Sequence, residues 1–166
     1  MLARREFPAA FVFVIGLATI LGAWGFQVIG GYVPCKLCLE ERWPYYIGVP
    51  LALIALVADR MGAPTWVPRA ALGLAALALA YGAYLGTYHA GAEWTWWAGP
   101  TDCGGGAAIG GGSLADQIKN IHVVSCTDAS FRFPPASWGL SFAGWNAVIA
   151  AVLAVVATWG TLRKLA

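Results

Sequence analysis

The sequence predicts an all-α integral membrane protein, a four-transmembrane-helix bundle with one long polar loop between the third and fourth helices. Two observations predict it. The chain is 60% hydrophobic and only 11% charged, with nine tryptophans and a mean hydropathy of +0.68, which is more apolar than a soluble core of this length requires. Four stretches, Phe7 to Tyr32, Trp43 to Ala58, Ala70 to Tyr88 and Phe133 to Leu162, contain no charged residue. The length allows a single domain, 1–166, and a net charge of +2 gives no argument for nucleic acid.

The first span is expected over 8–31, behind Arg4 and Arg5. About 20 apolar residues cross a bilayer core, so this stretch is long enough with some tilt. It is too long for a signal-peptide core and lacks an Ala-x-Ala cleavage site, so it is expected to remain as a span. The second, over 34–58, reaches spanning length only by carrying Glu40, Glu41 and Arg42 into the interfacial layer, where long side chains snorkel to water. Pro44 and Pro50 predict kinks within it.

A turn with Arg60 and Arg69 leads to the third span, 69–89. Gly82 and Gly86 are spaced for close helix packing. Tyr81, Tyr84 and Tyr88 share a face, which reads as packing and anchoring, or as an aromatic cofactor wall. The loop 90–141 holds Trp94, Trp96 and Trp97, read as interfacial belt residues. The glycine runs at 104–106 and 110–112 read as a flexible linker. Leu114, Ile118 and Ile121 predict a short helix on the membrane surface. The fourth span covers 142–162 and ends at Arg163 and Lys164.

Four spans put both termini on one side. Arg4, Arg5, Arg60, Arg69, Arg163 and Lys164 fall there, against Lys36, Arg42, Lys119 and Arg132 on the other, which makes the first side cytoplasmic. Cys35, Cys38, Cys103 and Cys126 then all face outward, where disulfides persist. Disulfide chemistry follows, with three pairings open. Non-catalytic structural staples are the alternative reading. A metal site is not expected, because there is one CxxC and not two, and His89 or His122 would join it only through loop folding.

The CxxC lies just behind Pro34, where backbone N–H groups and a helix dipole stabilise a thiolate. If one helix runs through this region, Arg42 is an i, i+4 neighbour of Cys38 and lowers its pKa. The same arginine suits polarising a carbonyl on a bound ligand. Repeated reoxidation of a dithiol needs an electron acceptor, and neither glycine run has the spacing of a dinucleotide fingerprint. At the bilayer interface, a lipid-soluble quinone is the acceptor within reach.

Pro34-Cys35-Lys36-Leu37-Cys38 through Arg42, Tyr88-His89, Glu93, Gly99-Pro100 before Cys103, the lone Cys126 and Trp145-Asn146 resemble, in that order, the disulfide bond formation protein B (DsbB) family of bacterial inner-membrane quinone reductases. The resemblance implies a multi-pass inner-membrane enzyme with both termini cytoplasmic and the cysteines periplasmic. It implies that Cys38 meets an exchangeable ubiquinone or menaquinone and that Cys35 exchanges with a second disulfide. Cys103 and Cys126 would form that second pair, which oxidises a periplasmic thioredoxin-fold partner of the DsbA type, with Cys103 taking the mixed disulfide. Arg42 and His89 would support quinone binding.

Overall fold

The computed structural model describes residues 2–100, 122–123, 125–129, 131–135 and 139–163. Four long helices make the body: α1 (Leu2–Val28), α3 (Trp43–Arg60), α4 (Trp66–Glu93) and α5 (Phe142–Leu162), with a one-turn helix α2 (Lys36–Glu40) ahead of α3. Within α1 the stretch from Glu6 on is long and apolar enough to cross a membrane, and so are α4 and α5. The fourth bundle member, α3, has 18 residues and begins in Trp43, Pro44, Tyr45 and Tyr46.

The stretch expected to be one kinked span over 34–58 is two helices. The chain turns at Glu41 and Arg42, and α3 begins with Pro44 in its first turn. Proline has no N–H to give and its ring collides with the carbonyl four residues back, here that of Glu40, so α2 cannot continue through position 44. At the start of a new helix the missing N–H is not needed. The break therefore precedes the proline, and Pro50 alone lies inside α3.

Helix α4 packs on α3 and α5, and α1 packs on the same two, which closes a ring around Val12, Val49, Leu79 and Leu153. Small residues set the spacing. A Cβ on Gly86 would come within 2.8 Å of the Ala147 backbone nitrogen, and one on Gly82 within 3.0 Å of Pro44 Cβ, so the expected close approach along α4 is present. Leu21, Leu77 and Val155 point outward with 60%, 70% and 69% of their surface exposed. Outward leucines and valines around small inner residues are the pattern lipid imposes.

Arg60 Nε pairs with Glu6 Oε2 at 2.9 Å, and Arg69 donates to the Arg163 carbonyl at 2.8 Å. These contacts gather the α1 start, the α3–α4 turn and the α5 end at one pole of the bundle. The opposite pole holds Cys35, Cys38 and Cys126. There the chain after α1 forms β1 (Tyr32–Val33), which pairs in parallel with β2 (His122–Val123), and β3 (Arg132–Phe133) pairs antiparallel with β4 (Leu140–Ser141).

Tyr81 and Tyr84 stack on one another at the outer surface, and Tyr88 stacks on Trp97. None of the three lines the main cavity, which favours packing and anchoring over a cofactor wall. The expected surface helix over 114–121, both glycine runs and Cys103 lie outside the described residues.

Candidate active site

The CxxC is held by the first turn of α2. Cys35 caps that helix in an extended conformation (φ −72°, ψ 173°), and its Sγ accepts the Cys38 backbone N–H at 3.2 Å. This cap folds Cys38 back over Cys35 and brings the two Sγ atoms to 2.6 Å. Cys35 is fully buried, whereas Cys38 is half-buried and lines a cavity of about 620 Å³. The two sulfurs thus face different ways.

The cavity lies between α1 and α5 and is walled by apolar side chains such as Phe26, Phe142 and Ile149. Its polar end is made by Cys38, Glu41, Arg42, His89 and Asn146. Glu41 organises that end. Its Oε1 is 2.7 Å from His89 Nδ1, its Oε2 accepts from Asn146 Nδ2 at 2.9 Å, and Asn146 Oδ1 accepts from the Tyr45 hydroxyl at 2.8 Å. The turn before α3, helix α3 itself, α4 and α5 are joined by this chain of bonds. His89 is 1% exposed, and its other nitrogen, Nε2, stands 3.9 Å from Cys35 Sγ. A thiol, an imidazole and a carboxyl in line have the logic of an activated nucleophile with its base and the group that orients the base.

Arg42 is where the sequence reading needs correction. The helix that carries Cys38 ends at Glu40, and Arg42 stands at the start of the next one. Arg42 donates to Gln27 Oε1 at 2.6 Å and lies 5.7 Å from the Trp24 ring centroid. It still lines the cavity, with its guanidinium directed to α1. Glu41, its neighbour in sequence, turns to His89 and Asn146.

The two thiols are pushed in opposite directions. At the mouth of α2, ahead of the long helix, the hydrogen bond from Cys38 lowers the Cys35 thiol to about 5, against burial and with help from His89. Cys38 is pushed upward, first by the same hydrogen bond to Cys35 and then by burial. The expectation that Arg42 makes Cys38 the thiolate is replaced by proton sharing within the pair.

Cys126 is 1% exposed, disulfide-bonded and packed with Cys35 and Leu37, with Tyr88 against the group. The structure therefore brings Cys35, Cys38, Arg42, His89 and Cys126 together; Cys103 lies outside the described residues. Gln27 and Tyr45 were not singled out by the sequence. Gln27 carried a signal, as a polar side chain deep in an uncharged run, whereas Tyr45 carried none.

The ligand atoms of Cys35, Cys38 and His89 all lie within 4.8 Å of one another. Two thiolates on a tetrahedral zinc stand about 3.8 Å apart, given Zn–S bonds near 2.3 Å. Sulfurs at 2.6 Å are too close for that geometry.

Comparison with known proteins agrees with this chemistry. The family described as Disulfide bond formation protein DsbB matches residues 5–160, nearly the whole chain. No curated protein and no solved structure matches it. A match of that extent, over a CxxC beside a buried disulfide in a bundle of apolar helices, places the chain in the DsbB family of membrane proteins of disulfide-bond formation.

Proposed function

We propose that this protein reoxidises a periplasmic thioredoxin-fold dithiol protein of the DsbA type and passes the electrons to ubiquinone or menaquinone. The observation that carries the reading is the position of the CxxC. Cys35 packs against the disulfide-bonded Cys126, and Cys38 lines a large apolar cavity. Electrons then have an entrance on one sulfur and an exit on the other.

The cavity suits a quinone. Its walls are apolar, as an isoprenoid ring ligand needs, and its polar groups converge at one end, as orientation of two ring carbonyls needs. Arg42, held by Gln27, and Asn146, held by Glu41 and Tyr45, would bind the ring, and the quinone would supply the capacity to take two electrons and two protons. The chain's own residues do the rest. Following the family pattern, Cys103 and Cys126 exchange their disulfide with the partner. The thiols so formed would exchange with a Cys35–Cys38 disulfide, each exchange forming one S–S bond and breaking another by thiolate displacement at sulfur, and would leave Cys35 and Cys38 as the dithiol that a bound quinone would reoxidise. His89 holds or takes the Cys35 proton at Nε2 while Glu41 fixes its ring.

In this reading α1, α3, α4 and α5 all cross a bacterial inner membrane, with the termini cytoplasmic and the CxxC pole periplasmic. The gathering of Arg60, Arg69 and both chain ends at the opposite pole supports it. The test is a steady-state assay of the detergent-purified protein with a reduced DsbA-like protein and a ubiquinone or menaquinone analogue. One quinone reduced per partner disulfide formed is the expected result. Oxidation of the partner at the same rate without either quinone would reject the quinone as acceptor, and none at all on a folded sample would reject the reading in favour of structural disulfides.

A further inference from the structure

Helix α1 carries one side chain that an apolar span does not need. Besides Trp24, the polar residues between Phe7 and Val28 are Thr19 and Gln27. Thr19 returns its hydroxyl to the Ile15 carbonyl of its own helix at 2.8 Å. Gln27 makes no such return. It lies in the last turn of α1 and lines the cavity, and its Oε1 accepts from Arg42 Nη1 at 2.6 Å. A side-chain amide within a membrane span is costly to keep without partners for both of its ends.

The bond to Arg42 decides which way the amide faces. A guanidinium has five donors and no acceptor, so the atom of Gln27 turned to Arg42 is the oxygen, and the NH2 group is turned away from it. Arg42 is steadied in its turn by Trp24, which lies three residues before Gln27 on the same face of α1. The Trp24 ring centroid is 5.7 Å from the guanidinium, and its Nε1 donates to the Tyr46 hydroxyl at 3.0 Å. Gln27 could flip only by setting its NH2 against a group that cannot accept. Its Nε2 makes no hydrogen bond among the described residues, so the outer half of the amide is a donor in search of an acceptor at the wall of the cavity.

We propose that Gln27 is a quinone-binding residue, with its Nε2 donating to a ring carbonyl while its oxygen keeps Arg42 in place. The inference rests on the reading of the cavity as a quinone site. A ring carbonyl only accepts, so it matches the NH2 half of the amide and not the half that Arg42 occupies. A donor whose orientation is already fixed by a neighbour loses little freedom on binding. It is also worth more as the carbonyl oxygen gains electron density. Gln27 thus has a contact of its own with the ligand, beyond serving Arg42.

The test uses the full-length detergent-solubilised protein without a thiol partner, and ubiquinone and menaquinone analogues labelled with 13C at the ring carbonyls. Affinity is read from quenching of tryptophan fluorescence, since Trp145 lines the cavity, and hydrogen bonding from the infrared carbonyl bands of the bound analogue. Gln27→Leu removes both halves of the amide. Gln27→Glu, ionised beside the guanidinium, keeps the acceptor for Arg42 and removes only the donor. Both variants are expected to bind about three- to tenfold more weakly, the worth of one hydrogen bond, and to move a carbonyl band toward its frequency in an apolar solvent. Wild-type affinity and bands in Gln27→Glu, with loss in Gln27→Leu, overturn the proposal, because Gln27 would then only hold Arg42. Unchanged binding in both variants overturns it as well. Should Gln27→Leu not fold, Gln27→Glu decides by itself. A wild-type protein that binds neither analogue would reject the quinone reading and this proposal with it, a result distinct from binding that survives the substitutions.

Discussion

Cys38→Ser is expected to retain the fold and lose quinone reduction, falling below about a thousandth of the wild-type rate, as removal of a nucleophile does. The geometry explains both halves. The α2 cap is a bond from the backbone N–H of position 38 to Cys35 Sγ, which a serine side chain does not disturb. Cys38 is the half-buried sulfur that lines the cavity, while Cys35 is sealed from it. A hydroxyl at position 38 therefore leaves the entrance intact and closes the exit. Circular dichroism would check the helices, and loss of quinone absorbance would check turnover. A Cys38→Ser protein that still reduced quinone at an appreciable rate would show that the electrons leave by another route.

Glu41→Ala is expected to be the most destabilising change in the polar cluster, by about 3–5 kcal/mol, the range found when one partner of a buried pair is removed. Glu41 accepts from His89 on α4 and Asn146 on α5, and Asn146 in turn accepts from Tyr45 on α3. Without the carboxylate, His89 and Asn146 keep buried donors with nothing to receive them, and desolvation without a partner is the expensive outcome. Glu41→Gln keeps an acceptor for one of them and should fall between. Denaturation of the detergent-solubilised protein measures the loss. A fully stable Glu41→Ala would mean that these bonds are replaced by water.

The four long helices were legible as four long uncharged runs, three of them long and apolar enough to cross a membrane. The fourth span, 142–162, coincides with α5, Phe142–Leu162. The second did not come out whole, because Pro44 reads equally as a kink inside a helix or as the first turn of a new one, and the choice depends on whether Glu40 and Glu41 continue the helix before it. That choice decided the fate of Arg42. One continuous helix would aim it at Cys38, and the turn aims it at Gln27, a residue of α1.

The CxxC stood out in the sequence by its place behind Pro34, and His89 was placed by resemblance alone. Its partner was not legible. Glu41 and His89 are 48 positions apart, and in the sequence Glu41 stands beside Arg42 as an obvious ion-pair neighbour. Local charge pairing lost to the tertiary contact because His89 and Asn146 reach the carboxylate from two helices, while Arg42 is drawn onto Gln27 and the Trp24 ring.

The central claim is that two electrons pass from the Cys35–Cys38 dithiol to a quinone in the α1–α5 cavity. Its most direct measurement is an anaerobic single turnover: the protein is fully reduced, mixed with one equivalent of quinone analogue, quenched in acid, and its remaining thiols are mapped by alkylation. The account predicts that one Cys35–Cys38 disulfide forms for each quinone reduced, at a rate no slower than steady-state turnover. Quinone reduction with both thiols of this pair still free would contradict it.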